Sequence, residues 1–210
     1  MKIIFSKKKL IQILKGQKNL GFVPTMGAIH KAHIYILKKS ISLCNKTIVT
    51  IFVNKPQFNK ITDYKKYPEN LKKDISILRK CKVDYLYLPS TKQIYPFGSN
   101  TKIKISVFSK KLCGKFRPGH FEAVVDVIDR FIRIIKPNKI FLGEKDMQQL
   151  KIIEEFINKN QIFQLGVKKV DYIELIDINK QIKPFKKNKK YKLFIAYYLG
   201  AIRLIDNIQV

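Results

Sequence analysis

The sequence predicts an α/β protein with a doubly wound, mostly parallel sheet, followed by a small β-rich C-terminal part. Short β-branched apolar runs alternate with stretches of helical periodicity over the first three quarters of the chain, and near Lys168 the alternation gives way to strand-like segments without a long helix. Hydrophobic residues make up 46% of the 210 positions and aromatics 11%, enough to build a buried core.

Taking the elements in order, Leu20–Pro24 (LGFVP) and Thr47–Val53 (TIVTIFV) are short apolar runs, and Val83–Leu88 and Lys139–Leu142 share that character, which is the mark of strands covered on both faces. Between them, residues His33–Leu43, Glu69–Arg79, Phe121–Ile135 and Met147–Ile157 repeat apolar side chains at helical spacing. Such alternation makes βαβ units. Ile162–Val167 is a further strand candidate. Beyond it, VDYIELID and KLFIAYYLGAIRLIDN offer strands only, and Lys183–Lys190, with Pro184 and Asn188, reads as a hairpin loop. The expected organisation is a main domain over residues 1–167 and a small C-terminal domain over 168–210.

The formal charge of +28 would by itself suggest a nucleic-acid or anionic-membrane partner. Its distribution argues otherwise. Lysines run from Lys2 to Lys192 among isoleucines and asparagines, as in AT-rich genomes, and only Lys7–Lys9 and Lys186–Lys190 form short blocks. With no aromatic–basic stacking motif beside them, no specific nucleic acid and no membrane partner are expected. Cys44, Cys81 and Cys113 are odd in number and far apart, which fits neither a disulfide framework nor a zinc site. The N-terminal MKIIFSKKKLIQILKG has no small-residue cleavage site, and no run approaches the roughly 20 apolar residues of a membrane span. A cytoplasmic protein is expected.

In open α/β sheets ligands bind beyond the carboxyl ends of the strands, so chemistry is sought in the segments at 24–33, 54–58, 112–121 and 143–149. The first, PTMGAIHKAH, places a glycine and two histidines three residues apart at a strand-to-helix junction. Helix N-termini attract phosphate, and imidazoles at i and i+3 share a face, so His30 and His33 could both stabilise charge on one triphosphate. A His-x-x-His standing alone is more often coincidence, and zinc lacks a third ligand at a recognisable spacing.

It does not stand alone. FVPTMGAIHKAHIYILKKS, TIVTIFVNKPQF, DYKKYPENLKKDISIL, LCGKFRPGHFEAVVDVI, IKPNKIFLGEKDMQQLKII and LGAIRLIDN, in this order, resemble successive blocks of the pantothenate synthetase family, the pantoate–β-alanine ligases. The resemblance implies a Rossmann-like nucleotidyltransferase domain and a two-step reaction. Pantoate attacks the α-phosphorus of ATP to give pantoyl adenylate and pyrophosphate, with Mg²⁺ shielding the phosphates. The amine of β-alanine then attacks the acyl group and expels AMP.

Carried over residue by residue, the resemblance assigns Met26, Gly27, Ala28, Ile29, His30, Lys31, Ala32 and His33 to ATP, with His33 as a cationic or donating imidazole and His30 on phosphate. Pro24, Thr25, Gln57 and Gln149 fall to the substrate, Gln57 offering both a donor and an acceptor to the hydroxy acid. Gly143, Glu144, Lys145 and Asp146 form a second ATP loop in which Lys145 neutralises phosphate charge. Arg117 is assigned to an anionic substrate group, Asp74 to Mg²⁺, and Val170 to an adenine contact through its backbone. His120 is equally well explained by packing at a helix start. The family commonly dimerises, so a homodimer is implied.

Three departures stand out. Ala32 replaces the glycine the family carries between its histidines, and Glu122-Ala123 replaces Asp-Gly. The family's Ser-Ser-Arg-Asn loop, which grips the ATP phosphates, and the helices after it have no counterpart, since GVKKV runs straight into VDYIELID. Two readings remain open: a compact ligase, and a degenerate relative that binds ATP or pantoate without joining them.

Overall fold

The alternation of inward-facing side chains decides which segments become strands. In the computed structural model, which describes residues 1–100, 102–143 and 146–160 and, as strands, 169–173, 192–199 and 202–209, the first unit contains β1 (Lys2–Ile4), β2 (Leu20–Thr25), β3 (Lys46–Ile51), β4 (Tyr85–Tyr87), β5 (Lys139–Gly143) and β6 (Lys169–Ile173). All pair in parallel. Around them lie α1 (Lys7–Leu14), α2 (Lys31–Leu43), the short α3 (Ile61–Lys65), α4 (Leu71–Lys80), the short α5 (Thr91–Ile94), α6 (His120–Ile135) and α7 (Met147–Lys159).

Neighbouring residues on each strand enter different cores. Phe22, Ile48, Tyr87 and Ile140 pack with Leu10 and Leu14 of α1, with α6 and with α7. Val23, Val49, Leu86 and Phe141 pack instead with Ile36 and Leu37 of α2 and Leu78 of α4. This two-residue period is what puts helices on both faces of a buried parallel sheet.

The strand order is β1-β4-β3-β2-β5-β6, so the direction of winding reverses between β2 and β5. The reversal point is where a crevice forms. Here the sequence widens it. β2 pairs with β3 along its whole length, from Leu20 opposite Lys46 to Thr25 opposite Ile51, whereas its ladder to β5 holds only Gly21 and Phe22. Pro24 has no N–H to give a ladder and sits where the two strands part.

The expected strands and helices at 20–24, 47–53, 83–88, 139–142, 33–43, 69–79, 121–135 and 147–157 coincide with β2 to β5 and with α2, α4, α6 and α7, within a few residues at each end. β1 and α1 were not foreseen, because the lysine-rich N-terminus hides a strand of three residues whose partner, β4, is some 80 positions away. The main unit runs to Ile173, not to residue 167: Lys169–Ile173 joins the large sheet, Gly143 standing opposite Ile173. The second unit, Glu174–Val210, holds β7 (Lys192–Leu199) antiparallel to β8 (Ile202–Gln209). The strand candidate at 162–167 and the expected hairpin loop Lys183–Lys190 lie outside the described residues.

Gly21 shows how closely α2 lies on β2. A Cβ there would collide with Ser40 Oγ and come within 2.9 Å of Cys44 Sγ and 3.1 Å of Phe141. Gly21→Ala is therefore expected to lower the unfolding free energy by about 1–3 kcal/mol in a urea titration, the usual cost of overpacking; an unchanged midpoint would show that the helix can move away freely.

Candidate active site

The segment after β2 is built on two consecutive left-handed residues, Gly27 at φ 87° and Ala28 at φ 51°. Glycine adopts that geometry freely, while alanine does so at a cost, so something must hold the turn. Asp74 holds it. Its Oδ2 accepts the Ala28 N–H at 3.0 Å and its Oδ1 the Ile29 N–H at 2.8 Å. Thr25 fixes the other side, its hydroxyl donating to the Thr50 carbonyl at 2.7 Å and accepting from the Gly27 N–H at 3.2 Å.

His30 and His33 then close the start of α2. The Ala32 N–H donates to His30 Nδ1 at 3.3 Å, and the His30 N–H donates to His33 Nδ1 at 3.4 Å, with ring centroids 4.1 Å apart. Each imidazole spends Nδ1 as an acceptor, so in the neutral tautomer each carries its proton on Nε2. Burial, and after it the nearby His30, push the His33 pKa from 6.5 down to about 4, against the opposing pull of Asp74. Of the two expectations for His33, a cationic or a donating imidazole, its own surroundings without nucleotide favour the second, a neutral donor through Nε2–H. The sequence expectation of free helix N–H groups changes as well, because the imidazoles and Asp74 already accept from Ala28, Ile29, His30 and Ala32.

Gln57 ends a short 3-10 turn, Lys55–Gln57, after β3. Its orientation is fixed by Asn54, which is 1% exposed. Asn54 Nδ2 donates to the Ala123 carbonyl at 3.1 Å and to Gln57 Oε1 at 3.1 Å, and Asn54 Oδ1 accepts from the Tyr95 hydroxyl at 2.7 Å. The Ala123 oxygen can only accept, so it sets which end of Asn54 is the amide nitrogen. Gln57 must then turn its oxygen to Asn54. Its Nε2–H donors are what remain for a ligand. The same loop is held from below by His120, whose Nδ1 lies 2.8 Å from the Gln57 carbonyl, and by Asn59, which donates to the Pro118 carbonyl at 2.8 Å.

Arg130 braces this arrangement, with its guanidinium 4.6 Å from the Tyr95 ring and bonded to Asp126 at 2.7 Å, to the Ile94 carbonyl at 2.9 Å and to the Gly98 carbonyl at 3.1 Å. Burial raises the Tyr95 pKa, so its hydroxyl stays protonated and donating. Across the crevice, Gln149 lies in the first turn of α7 and is half-buried, while its neighbour Gln148 is 7% exposed and fully engaged. Gln148 accepts from Cys113 Sγ at 2.8 Å and donates to the carbonyls of Phe108 at 2.8 Å and Lys111 at 2.6 Å, which ties down the stretch leading to Arg117.

The segments after β2 and β5 thus flank the reversal point. Pro24 and Thr25 close β2; Met26, Gly27, Ala28 and Ile29 form the turn; Lys31 is exposed and Ala32 half-buried in the first turn of α2. Gly143 ends β5, and Asp146 is the exposed N-cap of α7. Glu144 and Lys145 lie outside the described residues. Val170 is not at the carboxyl end of its strand: it pairs with Ile140, three residues before Ile173 comes level with Gly143. Asn54, Tyr95 and Gln148 were not foreseen, because nothing in a sequence marks one amide as buried and its neighbour as exposed. A cavity of about 350 Å³ opens beside the turn among Met26, Gly27, Phe52, Tyr64 and Asp74. A larger depression, about 710 Å³, lies between Lys2, Lys46, Arg79 and Asp84, at the amino ends of the strands where such sheets do not place chemistry.

A family model described as pantoate-beta-alanine ligase matches residues 2–165 and again residues 157–209. The chain belongs to the pantoate–β-alanine ligase family. A curated pantothenate synthetase from Pseudothermotoga lettingae is 41% identical over 157 residues, 75% of this chain and 56% of that relative. One from Francisella tularensis subsp. novicida is 36% identical over 238 residues, 93% of this chain and 90% of that relative. Among solved structures, the Francisella tularensis ligase complexed with beta-gamma ATP and beta-alanine aligns at TM-score 0.83 and 32% identity, over 99% of this chain and 97% of that one. Pantothenate synthetase from Thermus thermophilus aligns at TM-score 0.76 and 29% identity, over 83% and 62%.

The chain spans little more than half of the Pseudothermotoga relative, at 56% of its length. The Francisella alignment is longer, at 238 positions, than this chain's 210 residues, so that relative has residues without counterpart here. The two ligase-family matches overlap at residues 157–165. Among the described residues no helix is long and apolar enough to cross a membrane, and no group of three His, Cys, Asp or Glu side chains could hold a metal ion.

His33 gives a measurable consequence. Its folded pKa lies below its unfolded value, so the stability that goes with its neutral form is present above about pH 6.5 and is lost as the pH falls from there through about 4. Melting curves should fall over that window in the wild type and fall less in His33→Gln; parallel curves for the two proteins would show that His33 is not buried as described.

Proposed function

We propose that this chain is an ATP-dependent ligase that condenses pantoate with β-alanine through a pantoyl-adenylate intermediate. The observation that carries the reading is that two neighbouring segments at the carboxyl end of the sheet keep donors in reserve: the turn after β2, which ends in two Nε2–H groups, and the loop after β3, with a glutamine whose own oxygen is already bound. The family assignment supports it, as does the Francisella relative complexed with beta-gamma ATP and beta-alanine.

In the first step a pantoate carboxylate oxygen bonds to the α-phosphorus of ATP and the bond to the bridging oxygen of pyrophosphate breaks. His30 and His33 donate from Nε2 to phosphate oxygens, in a setting too buried at His33 to carry a proton easily unless phosphate charge draws one in. Gln57 donates to an oxygen of pantoate, with Gln149 as the facing contact and Arg117 for an anionic group. Lys145, with Gly143 and Asp146 beside it, neutralises the polyphosphate. In the second step the neutral amine of β-alanine attacks the acyl carbon, the acyl–phosphate bond breaks, and AMP leaves with that electron pair while the amine loses its proton.

Mg²⁺ belongs to this reading as an ion carried on the ATP phosphates. Asp74, which the resemblance assigns to that ion, has one acceptor site on each oxygen committed to a main-chain N–H. A cytoplasmic homodimer also belongs to the reading and rests on the family alone. A second reading, binding of ATP or pantoate without ligation, is not favoured by the family match or the Francisella complex; the missing Ser-Ser-Arg-Asn loop is the feature on its side, because single donors of that kind contribute about 10²–10³ in rate.

One assay separates the two: pantoate, β-alanine, ATP and Mg²⁺ with the purified chain, following AMP and pantothenate. We expect both products in equal amounts; ATP binding without AMP would leave only the second reading. His33→Ala and Lys145→Ala are each expected to lower turnover by at least about 10²-fold, the loss of one charge-stabilising donor. Asn54→Asp would turn Gln57 round to donate to the new carboxylate, and the KM for pantoate should rise about tenfold or more with little change in the KM for ATP, in keeping with one misdirected hydrogen bond.

A further inference from the structure

We propose that Asp74 is a positioning residue: an internal anion that fills the amide nest of the Met26–His30 turn, and through it aims the two histidines, instead of binding the divalent cation. The inference rests on the reading of that turn as the ATP loop. Consecutive main-chain N–H groups in a left-handed turn form a concave, positively polarised cradle that binds anions. In many nucleotide sites the anion is a phosphate. Here the cradle made by the N–H groups of Ala28 and Ile29 is already filled by a carboxylate of the same chain, bonded at 3.0 and 2.8 Å.

Two further features agree. Asp74 is 2% exposed and each of its oxygens is already committed to one main-chain N–H, so a cation would have to compete with the turn for them. Gly27 is shaped to the carboxylate: at φ 87°, a Cβ on it would meet Asp74 Oδ2 at 3.0 Å and Ile51 Cγ2 at 3.2 Å. The chain therefore brings Asp74 in from the first turn of α4, some 45 residues away in sequence, to hold a strained Ala28 in place one residue pair ahead of His30.

Two variants test this from opposite sides. Asp74→Asn keeps the shape but points an amide N–H at a main-chain N–H, and Gly27→Ala crowds the same cradle without touching an acidic group. In the full chain without nucleotide, amide hydrogen exchange followed by mass spectrometry should accelerate about tenfold or more over the peptide containing Ala28 and Ile29 in both variants, as expected for a lost hydrogen bond to a charged group. Unchanged exchange in Asp74→Asn overturns the proposal whether or not the wild type turns over, so a failure of the ligase reading is seen separately, as absent AMP. In the active enzyme both variants should raise the KM for ATP about tenfold or more, with the KM for pantoate and the Mg²⁺ concentration for half-maximal rate within about twofold of wild type. A raised Mg²⁺ requirement in Asp74→Asn, or recovery of its rate at high Mg²⁺, would make Asp74 a metal ligand and overturn the proposal. So would an equal rise in both KM values, which is what general loosening produces.

Discussion

The unequal pairing of β2 governs the molecule. On one side its ladder to β3 is continuous from Leu20 to Thr25; on the other its ladder to β5 stops at Phe22. A strand held along one edge and released along the other leaves its last residues free to diverge, and Pro24, without an N–H, cannot be drawn back into pairing. The crevice that results is bounded by the turn leading into α2 and by the end of β5. Each candidate ligand group described on those two segments owes its place to that divergence.

Behind the crevice lies a layer of side chains that no ligand need touch. Asp74 and Thr25 hold the turn; Asn54, Tyr95 and Arg130 hold Gln57; His120 and Asn59 fasten the Gln57 loop to the segment around Pro118 and α6; Gln148 fastens the stretch before Arg117. Each of these groups has its hydrogen-bonding capacity directed inward. Buried amides and carboxylates are costly unless satisfied, and once satisfied they allow few alternatives, so they fix the polarity of the groups in front of them. Gln57 is the clearest example, since a donor on Asn54 leaves it only its own donors to offer.

The chemistry suits a site that relies on dipoles more than on formal charge. In a chain carrying +28, the start of α2 presents two imidazoles whose Nδ1 atoms cap the helix, one of them held neutral by burial. Neutral donors fixed in advance need no reorganisation when charge develops in front of them.

The sequence by itself determined the α/β class, the main strands and helices and the family, because periodicity and ordered local motifs are written in neighbouring residues. It could not show β1, whose three residues make sense only beside β4, nor that Lys169–Ile173 belongs to the large sheet, because both depend on partners distant in the chain. Nor could it tell Gln148 from Gln149, or reveal that Asp74 faces main-chain amides while His33 is neutral. Those properties are matters of burial and direction, and only the packing of α4 against the β2 turn, of α6 against the Gln57 loop and of α7 against the stretch before Arg117 decides which polar atoms are consumed within the fold and which are left to face a ligand.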